Sequence, residues 1–257
     1  MFEVLLSNGL ILKKIVESIK ELVTEVNFEV SSEAISMQAM DASHVALVVL
    51  ILRASEFEEY RCDRPQTLGV SISNLAKLLK IAGNDDSIIL RADDSANVLT
   101  LVFSGKNNEK MCEFNLNLIT LDSEHLGIPD QDYAAEVKMS SSEFARICRE
   151  LTQVTDTLNL AVDKEMVRFA VSGDIGAGSI TMRSNISERA EERLSLSVGE
   201  NVSMAFALRY LNLFNKASTL SDEVQLSLSP EVPVVIKFVF SLGELKYFLA
   251  PKISEDI

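Results

Sequence analysis

Residues 12–30 read Leu12-Lys13-Lys14-Ile15-Val16-Glu17-Ser18-Ile19-Lys20-Glu21-Leu22-Val23-Thr24-Glu25-Val26-Asn27-Phe28-Glu29-Val30. Residues 144–162 read Phe144-Ala145-Arg146-Ile147-Cys148-Arg149-Glu150-Leu151-Thr152-Gln153-Val154-Thr155-Asp156-Thr157-Leu158-Asn159-Leu160-Ala161-Val162. In each stretch the apolar residues first recur at helical spacing and then alternate with polar ones, so the period changes from 3.6 to 2. At an offset of 132 the apolar positions coincide: Leu12 with Phe144, Ile15 with Ile147, Val16 with Cys148 and Ile19 with Leu151. The strands that follow match as well, Val26 with Leu158, Phe28 with Leu160 and Val30 with Val162. A helix running into a strand is written twice in this chain.

The copy continues outward. Ile35, Met37 and Ala39 alternate as Val167, Phe169 and Val171 do. A second helix carries Leu75, Leu78 and Leu79 on one face, and Leu211 and Phe214 stand 136 residues after Leu75 and Leu78. Turn-rich stretches follow (Gly83–Asp86 and Ser218–Asp222), then strands at Ile88–Arg91 and Val98–Phe103 against Val224–Leu228 and Val234–Phe240. The reading is an α+β fold made of one duplicated domain rich in antiparallel strands. A period above 100 residues marks a domain duplication, not a solenoid. The expected domains are 1–117 and 135–257. Residues 118–134 are broken by Gly127 and Pro129 yet hold Leu118, Leu121, Leu126 and Ile128. They read as an extended connector pinned to the surface.

The 257 residues include 38 acidic and 24 basic ones, for a net charge of −14. That balance alone argues against nucleic acid, whose binders neutralise phosphates with Lys and Arg. The distribution reverses the argument. The spans Gly9–Glu21, Asn74–Ile81, Ser141–Thr152 and Leu208–Ala217 carry nine basic and four acidic residues, a net +5, leaving −19 for the rest. Lys13, Lys14, Lys20, Lys77, Lys80, Arg146, Arg149, Arg209 and Lys216 lie away from the apolar stripes. Basic helical faces without base readers, in a chain lacking Trp, imply sequence-independent contact with the backbone of duplex DNA.

Motifs for catalysis are missing. There is no phosphate-binding G-x-x-x-x-G-K-[ST] and no G-x-S-x-G. His44 and His125 join no metal-ligand pattern, so neither a metal nor another cofactor is expected. Gly173, Gly176 and Gly178 sit in a strand-rich region and read as a turn or bulge. Cys62, Cys112 and Cys148 are far apart and read as free thiols in a reducing compartment. No apolar run approaches the roughly 18 residues of a membrane span, and Met-Phe-Glu-Val does not begin like a secretory leader.

Several stretches resemble the eukaryotic sliding-clamp family, that of proliferating cell nuclear antigen. They are Ala34–Leu52 (AISMQAMDASHVALVVLIL), continuing to Phe57; Tyr60–Arg64 (YRCDR), continuing through Leu75–Lys80 (LAKLLK); Glu143–Arg149 (EFARICR); Ala207–Asn212 (ALRYLN); and Tyr247–Ile253 (YFLAPKI). The resemblance covers the whole chain. It implies a head-to-tail homotrimer, a ring with helices lining the inside and antiparallel sheets outside, that encircles duplex DNA without enzymatic activity. Such a ring gives DNA polymerases processivity and serves as a docking platform in the nucleus for the clamp loader, flap endonuclease and DNA ligase. A specialised checkpoint clamp subunit of a heterotrimeric ring is the alternative.

The resemblance also assigns residues. The basic helical residues above, with Arg61, face DNA. Ring closure pairs a strand carrying Lys110, Cys112, Phe114 and Leu116 with one carrying Ile175, Gly178, Ile180 and Met182 of the next subunit. A short partner motif docks on Met40, His44, Val45, Leu47, Leu126, Ile128, Pro129, Tyr133 and Pro233, with Ala250, Pro251, Lys252 and Ile253 from the tail. Lys164 matches the lysine that receives ubiquitin or SUMO. Two positions depart from the family's common pattern, Phe248 in place of a second Tyr and Gln153 where His can stand.

Overall fold

The computed structural model describes residues 1–93, 97–105, 109–122, 126–127, 131–185 and 193–252. The order of elements repeats in full. The first half runs β1 (Phe2–Leu6), α1 (Leu10–Ile19), β2 (Glu25–Val30), β3 (Ala34–Met40), β4 (Ala46–Arg53), β5 (Glu59–Cys62), β6 (Gln66–Ser71), α2 (Ile72–Leu79), β7 (Ser87–Ala92), β8 (Val98–Ser104) and β9 (Met111–Asn117). The second runs β10 (Ala135–Ser140), α3 (Ser141–Leu151), β11 (Thr157–Val162), β12 (Met166–Gly173), β13 (Gly176–Arg183), β14 (Leu194–Val198), β15 (Val202–Ala207), α4 (Leu208–Phe214), β16 (Glu223–Leu228), β17 (Val234–Phe240) and β18 (Gly243–Leu249).

The pairing repeats too. The first half has strand orders β5-β1-β7-β8-β9 and β4-β3-β2-β6; the second has β14-β10-β16-β17-β18 and β13-β12-β11-β15. The ladders are antiparallel, as in Phe28 facing both Met37 and Leu68, and Leu160 facing both Phe169 and Met204. Helix entry is copied as well: Gly9 N–H donates to Asp86 O, and Ser141 N–H donates to Asp222 O, both at 2.9 Å.

The chain forms two compact units, each with its own core. The first comprises Met1–Ala42, Val48–Gly127 and Phe240–Leu245; the second comprises Ser43–Leu47, Ile128–Val239 and Lys246–Ile257. In the first, α1 rests on α2 through Leu12, Ile15, Val16 and Ile19, all buried. In the second, α3 rests on α4, and the buried Tyr247 stacks on Phe214 at 4.4 Å between ring centroids and meets Phe238 edge-on. Burying whole aromatic side chains in this way supplies much of the apolar area that stabilises a unit.

The two short exchanged segments matter for the sheet edges. Within the first unit Arg53 N–H donates to Leu242 O at 2.9 Å; within the second Ala250 N–H donates to Val45 O at 3.1 Å. The counterparts of β18 and β4 in the repeat, β9 and β13, each end a strand order.

Helix limits differ from the sequence reading at their ends. Lys20 and Lys80 are C-caps just past α1 and α2, and Lys216 lies in a 3-10 turn, Asn215–Thr219, beyond α4. The charged periodicity simply outlasts the α-helical hydrogen bonds. At Gly173 and Gly176 the chain makes a hairpin: these two residues face each other across Asp174-Ile175, and Gly176 has φ +142°. That conformation belongs to glycine. Residues 118–122 belong to the first unit and are tied to its strands and loops. Leu118 N–H donates to Asn97 O, Ile119 N–H to Gly69 O and Asn27 Nδ2 to Leu121 O.

Candidate nucleic-acid interface and assembly edges

Each helix hides one stripe and shows the other, which places the basic residues. On α2, Ile72, Leu75, Ala76 and Leu79 are buried while Lys77 and Lys80 are exposed. On α3, Phe144, Ile147, Cys148 and Leu151 are buried while Arg146 and Arg149 are exposed. Arg209 on α4 is exposed and lies over the ring of Tyr210, 4.9 Å from its centroid. Ser71 and Ser140 cap α2 and α3, accepting from the N–H groups of Asn74 and Glu143, and fix where these helices begin.

The basic residues are not equivalent. Lys13 donates to the carbonyl oxygens of Ala82 and Gly83 and to Asn84 Oδ1, with 3.1 Å to Gly83 and 3.4 Å to Asn84. It therefore ties α1 to the turn after α2, where a cation suits the carbonyl end of a helix. Lys20 pairs with Glu17 at 2.5 Å. Arg146 is gripped on both sides: Nε and Nη2 donate to Glu143 at 2.9 and 2.5 Å, and Nη1 donates to both oxygens of Glu150 at 3.0 and 2.8 Å. Hydrogen bonding to Arg146 holds the Glu143 carboxyl below its ordinary range, and the same contacts raise the Arg146 pKa. Among the described residues Lys77, Lys80 and Arg149 pair with no carboxylate. Arg61 lies on strand β5, not on a helix, and its fork is held by Asp63 at 2.9 and 3.0 Å.

The two edge strands present their assigned residues as follows. On β9, Leu116 is buried, Cys112 and Phe114 are half-buried, and Met111 is 69% exposed. Lys110 is exposed just before it. On β13, Ile180 and Met182 are half-buried and Gly178 is exposed; Ile175, in the preceding turn, is 77% exposed. Large apolar side chains standing exposed at strand edges are what a monomer avoids.

The residues assigned to partner docking divide between the units. In the first, Met40 is half-buried at the end of β3, and Leu126 is fixed by Gln38, whose Nε2 donates to Leu126 O at 2.9 Å and whose Oε1 accepts from Leu126 N at 3.0 Å. In the second, His44 is exposed with φ 56°, Val45, Leu47 and Tyr133 are half-buried, and Pro233 is exposed. There the tail follows Ala250 and Pro251 to Lys252, whose N–H donates to Ala205 O at 2.8 Å and whose Nζ reaches Asp156 at 3.3 Å and Thr157 at 2.5 Å. Ile128, Pro129 and Ile253 lie outside the described residues. Lys164 is exposed on the β11–β12 turn, which Asp163 Oδ1 shapes by accepting from the N–H groups of Glu165 and Met166. Among the described residues no three His, Cys, Asp or Glu side chains are placed to hold a metal.

The sequence reading missed the Gln38 bracket, the Lys13 tether and the carboxylates around Arg146. Spacings of three and four between Glu143, Arg146 and Glu150 were the available signal for the last. The bracket and tether join positions 88 and about 70 residues apart, beyond any local pattern.

Comparison with known families completes the site. Residues 1–125 match the proliferating cell nuclear antigen N-terminal domain, and residues 127–252 match the C-terminal domain of the same family. The chain belongs to the proliferating cell nuclear antigen family, the DNA sliding clamps.

Proposed function

We propose that this chain, with domains 1–117 and 135–257 joined by 118–134, closes head to tail as a homotrimeric ring around duplex DNA in the nucleus. The ring gives replicative polymerases processivity and receives repair and replication proteins that carry a short docking motif. Its basic helices contact phosphates without reading bases. Lys164 is the proposed acceptor of ubiquitin or SUMO.

The observation that carries the reading is the unequal treatment of equivalent strands. β18 and β4 are hydrogen-bonded to each other at both ends, whereas their repeat counterparts β9 and β13 end their sheets. A heterologous contact that closes on itself removes both edges. The internal contact also supplies a register. Facing residues of β4 and β18 have numbers that add to 295, from Val45 with Ala250 and Arg53 with Leu242. The ladders of β8–β9 and β12–β13, taken with the two-residue turn Ser241-Leu242 between β17 and β18 and the bond from Ala54 N–H to Glu33 O beside β3 and β4, make Phe114 the counterpart of Tyr247 and Ile180 that of Leu50. The transferred register sets Phe114 of one subunit opposite Gly178 of the next, and Cys112 opposite Ile180. The bulkiest residue of one edge thus meets a position with no side chain.

Two measurements test this. The native mass should be that of three chains; a monomer or a two-chain assembly rejects the closure. Loaded on circular duplex, the protein should stay bound in high salt and leave when the circle is cut. Equal retention on both forms rejects encirclement.

A further inference from the structure

Arg146 has the chemistry of a phosphate-binding residue, yet both edges of its guanidinium are already occupied. Glu143 takes one edge through two oxygens and Glu150 takes the other through two more. A carboxylate offers the planar pair of acceptors that a phosphate offers, so the two compete for the same fork. The repeat shows that this is not imposed by the fold. The counterpart of Arg146 on α1 is Lys14, and the positions equivalent to Glu143 and Glu150 are Ile11 and Ser18. The two acids that bracket Arg146 on α3 are thus not repeated at the equivalent positions of α1, where the acid nearest Lys14 is Glu17.

We infer that Glu143 and Glu150 are intramolecular competitors for Arg146 that hold down its contact with DNA phosphates. The inference rests on the sliding-clamp reading and adds to it a means of keeping the hold loose. A ring that must move along DNA is slowed by each phosphate contact it has to break. Arg146 leaves a phosphate for a carboxylate on its own helix, not for bare solvent, so exchange costs little in either direction. The Glu150 pair is solvent-exposed, with Arg146 at 45% and Glu150 at 50%, and the Glu143 pair is partly so, with Glu143 at 28%; such pairs open readily. Arg149, one turn along on the same helix, has no such competitor and makes the steadier contact.

The experiment compares binding of the assembled protein to a short duplex across a range of salt, for the wild type, Glu143→Gln/Glu150→Gln, Arg146→Ala and the triple variant. The expected result is binding about threefold or more tighter for the double variant, with a salt slope steeper by up to about 0.9 per subunit contacting DNA. In the Arg146→Ala background that gain should vanish. A gain of equal size there would mean that only net charge had changed, and would overturn the inference; so would no gain at all. Because Glu143 also stands in the first turn of α3, Glu150→Gln alone provides a variant that leaves the helix start untouched, and it should give part of the gain. Arg149→Ala separates the two levels of the argument. If it weakens binding while the Glu variants change nothing, the clamp reading stands and the competition fails. If neither alters binding, both fail.

Discussion

Ile119 donates its backbone N–H to Gly69 O at 2.9 Å, and its own carbonyl oxygen stands where a Cβ on residue 69 would be. The segment that follows β9 thus lies directly on β6, and only a residue without a side chain lets it do so. Gly69→Ala should push the segment off the strand and lower stability by about 1–3 kcal/mol, the usual cost of forcing an extra carbon into a filled space. Gly127→Ala, with nothing within 4 Å of its Cβ, is the control and should stay within about 0.5 kcal/mol of wild type. Urea unfolding of both variants measures the difference.

Gly69 also marks the boundary of what the sequence discloses. The duplication was legible because helix and strand periods are local, and Leu12–Val30 and Phe144–Val162 keep them in step. The basic helical faces were legible for the same reason, since three- and seven-residue spacings place charges opposite an apolar stripe. The tether from Lys13 to the 82–84 turn was not, because it depends on how α1 meets α2. Nor could spacing distinguish an engaged cation from an unengaged one. Lys13 and Lys77 look alike as sequence, yet one holds backbone carbonyls and the other is exposed.

That distinction gives different outcomes for charge reversal. Lys77→Glu and Arg149→Glu should weaken duplex binding and reduce the salt slope by about 0.9 for each contact removed, leaving native mass and unfolding midpoint unchanged. Lys20→Glu and Lys216→Glu should act in the same direction. Lys13→Glu should also lower the unfolding midpoint, because a carboxylate would face the carbonyls of Ala82 and Gly83. Thermal melting beside a DNA titration separates the two classes.

Asn215 is buried, and its amide has at most a weak contact with the Cys148 thiol in place of a well-formed hydrogen bond. Its counterpart in the first half, at the offset of 136, is Leu79, which is buried in the α1–α2 contact. A buried amide paired this poorly costs up to about 1–3 kcal/mol. Asn215→Leu should therefore stabilise the protein and raise its melting temperature by about 2–4 °C for each kcal/mol recovered. A lower melting temperature would show that the second helix pair has no room for the side chain the first accommodates.

Acid should weaken the α3 surface in a defined direction. Hydrogen bonding to Arg146 keeps the Glu143 pKa below its ordinary 4.5 in the folded chain. A depressed carboxyl contributes stability that is complete above the unfolded value and is lost as pH falls through the folded one. The contribution is below about 1 kcal/mol, since the pair is partly exposed. Unfolding free energies measured from pH 6 down to pH 3 should therefore fall less steeply for Glu143→Gln than for wild type. Parallel slopes would remove Glu143 from the acid response.

The three thiols offer a test of ring closure that needs one substitution. Cys148 is fully buried and its pKa is pushed up to about 12 by that burial, so it should resist alkylation at pH 8 until the protein unfolds. Cys62 and Cys112 are half-buried and should react in a dissociated chain. In the transferred register Cys112 faces Ile180 of the next subunit at a pair that exchanges no backbone hydrogen bonds, where side chains of antiparallel strands approach most closely. Ile180→Cys should then join subunits through Cys112 under mild oxidation, giving covalent species of up to three chains that dithiothreitol reverses. Thr181→Cys, one residue along, turns its side chain to the other face of the sheet and should not cross-link. If the 181 variant cross-links and the 180 variant does not, the strands pair one residue out of the register that the internal β4–β18 contact implies. If neither does while native mass still reports three chains, the ring closes through another surface.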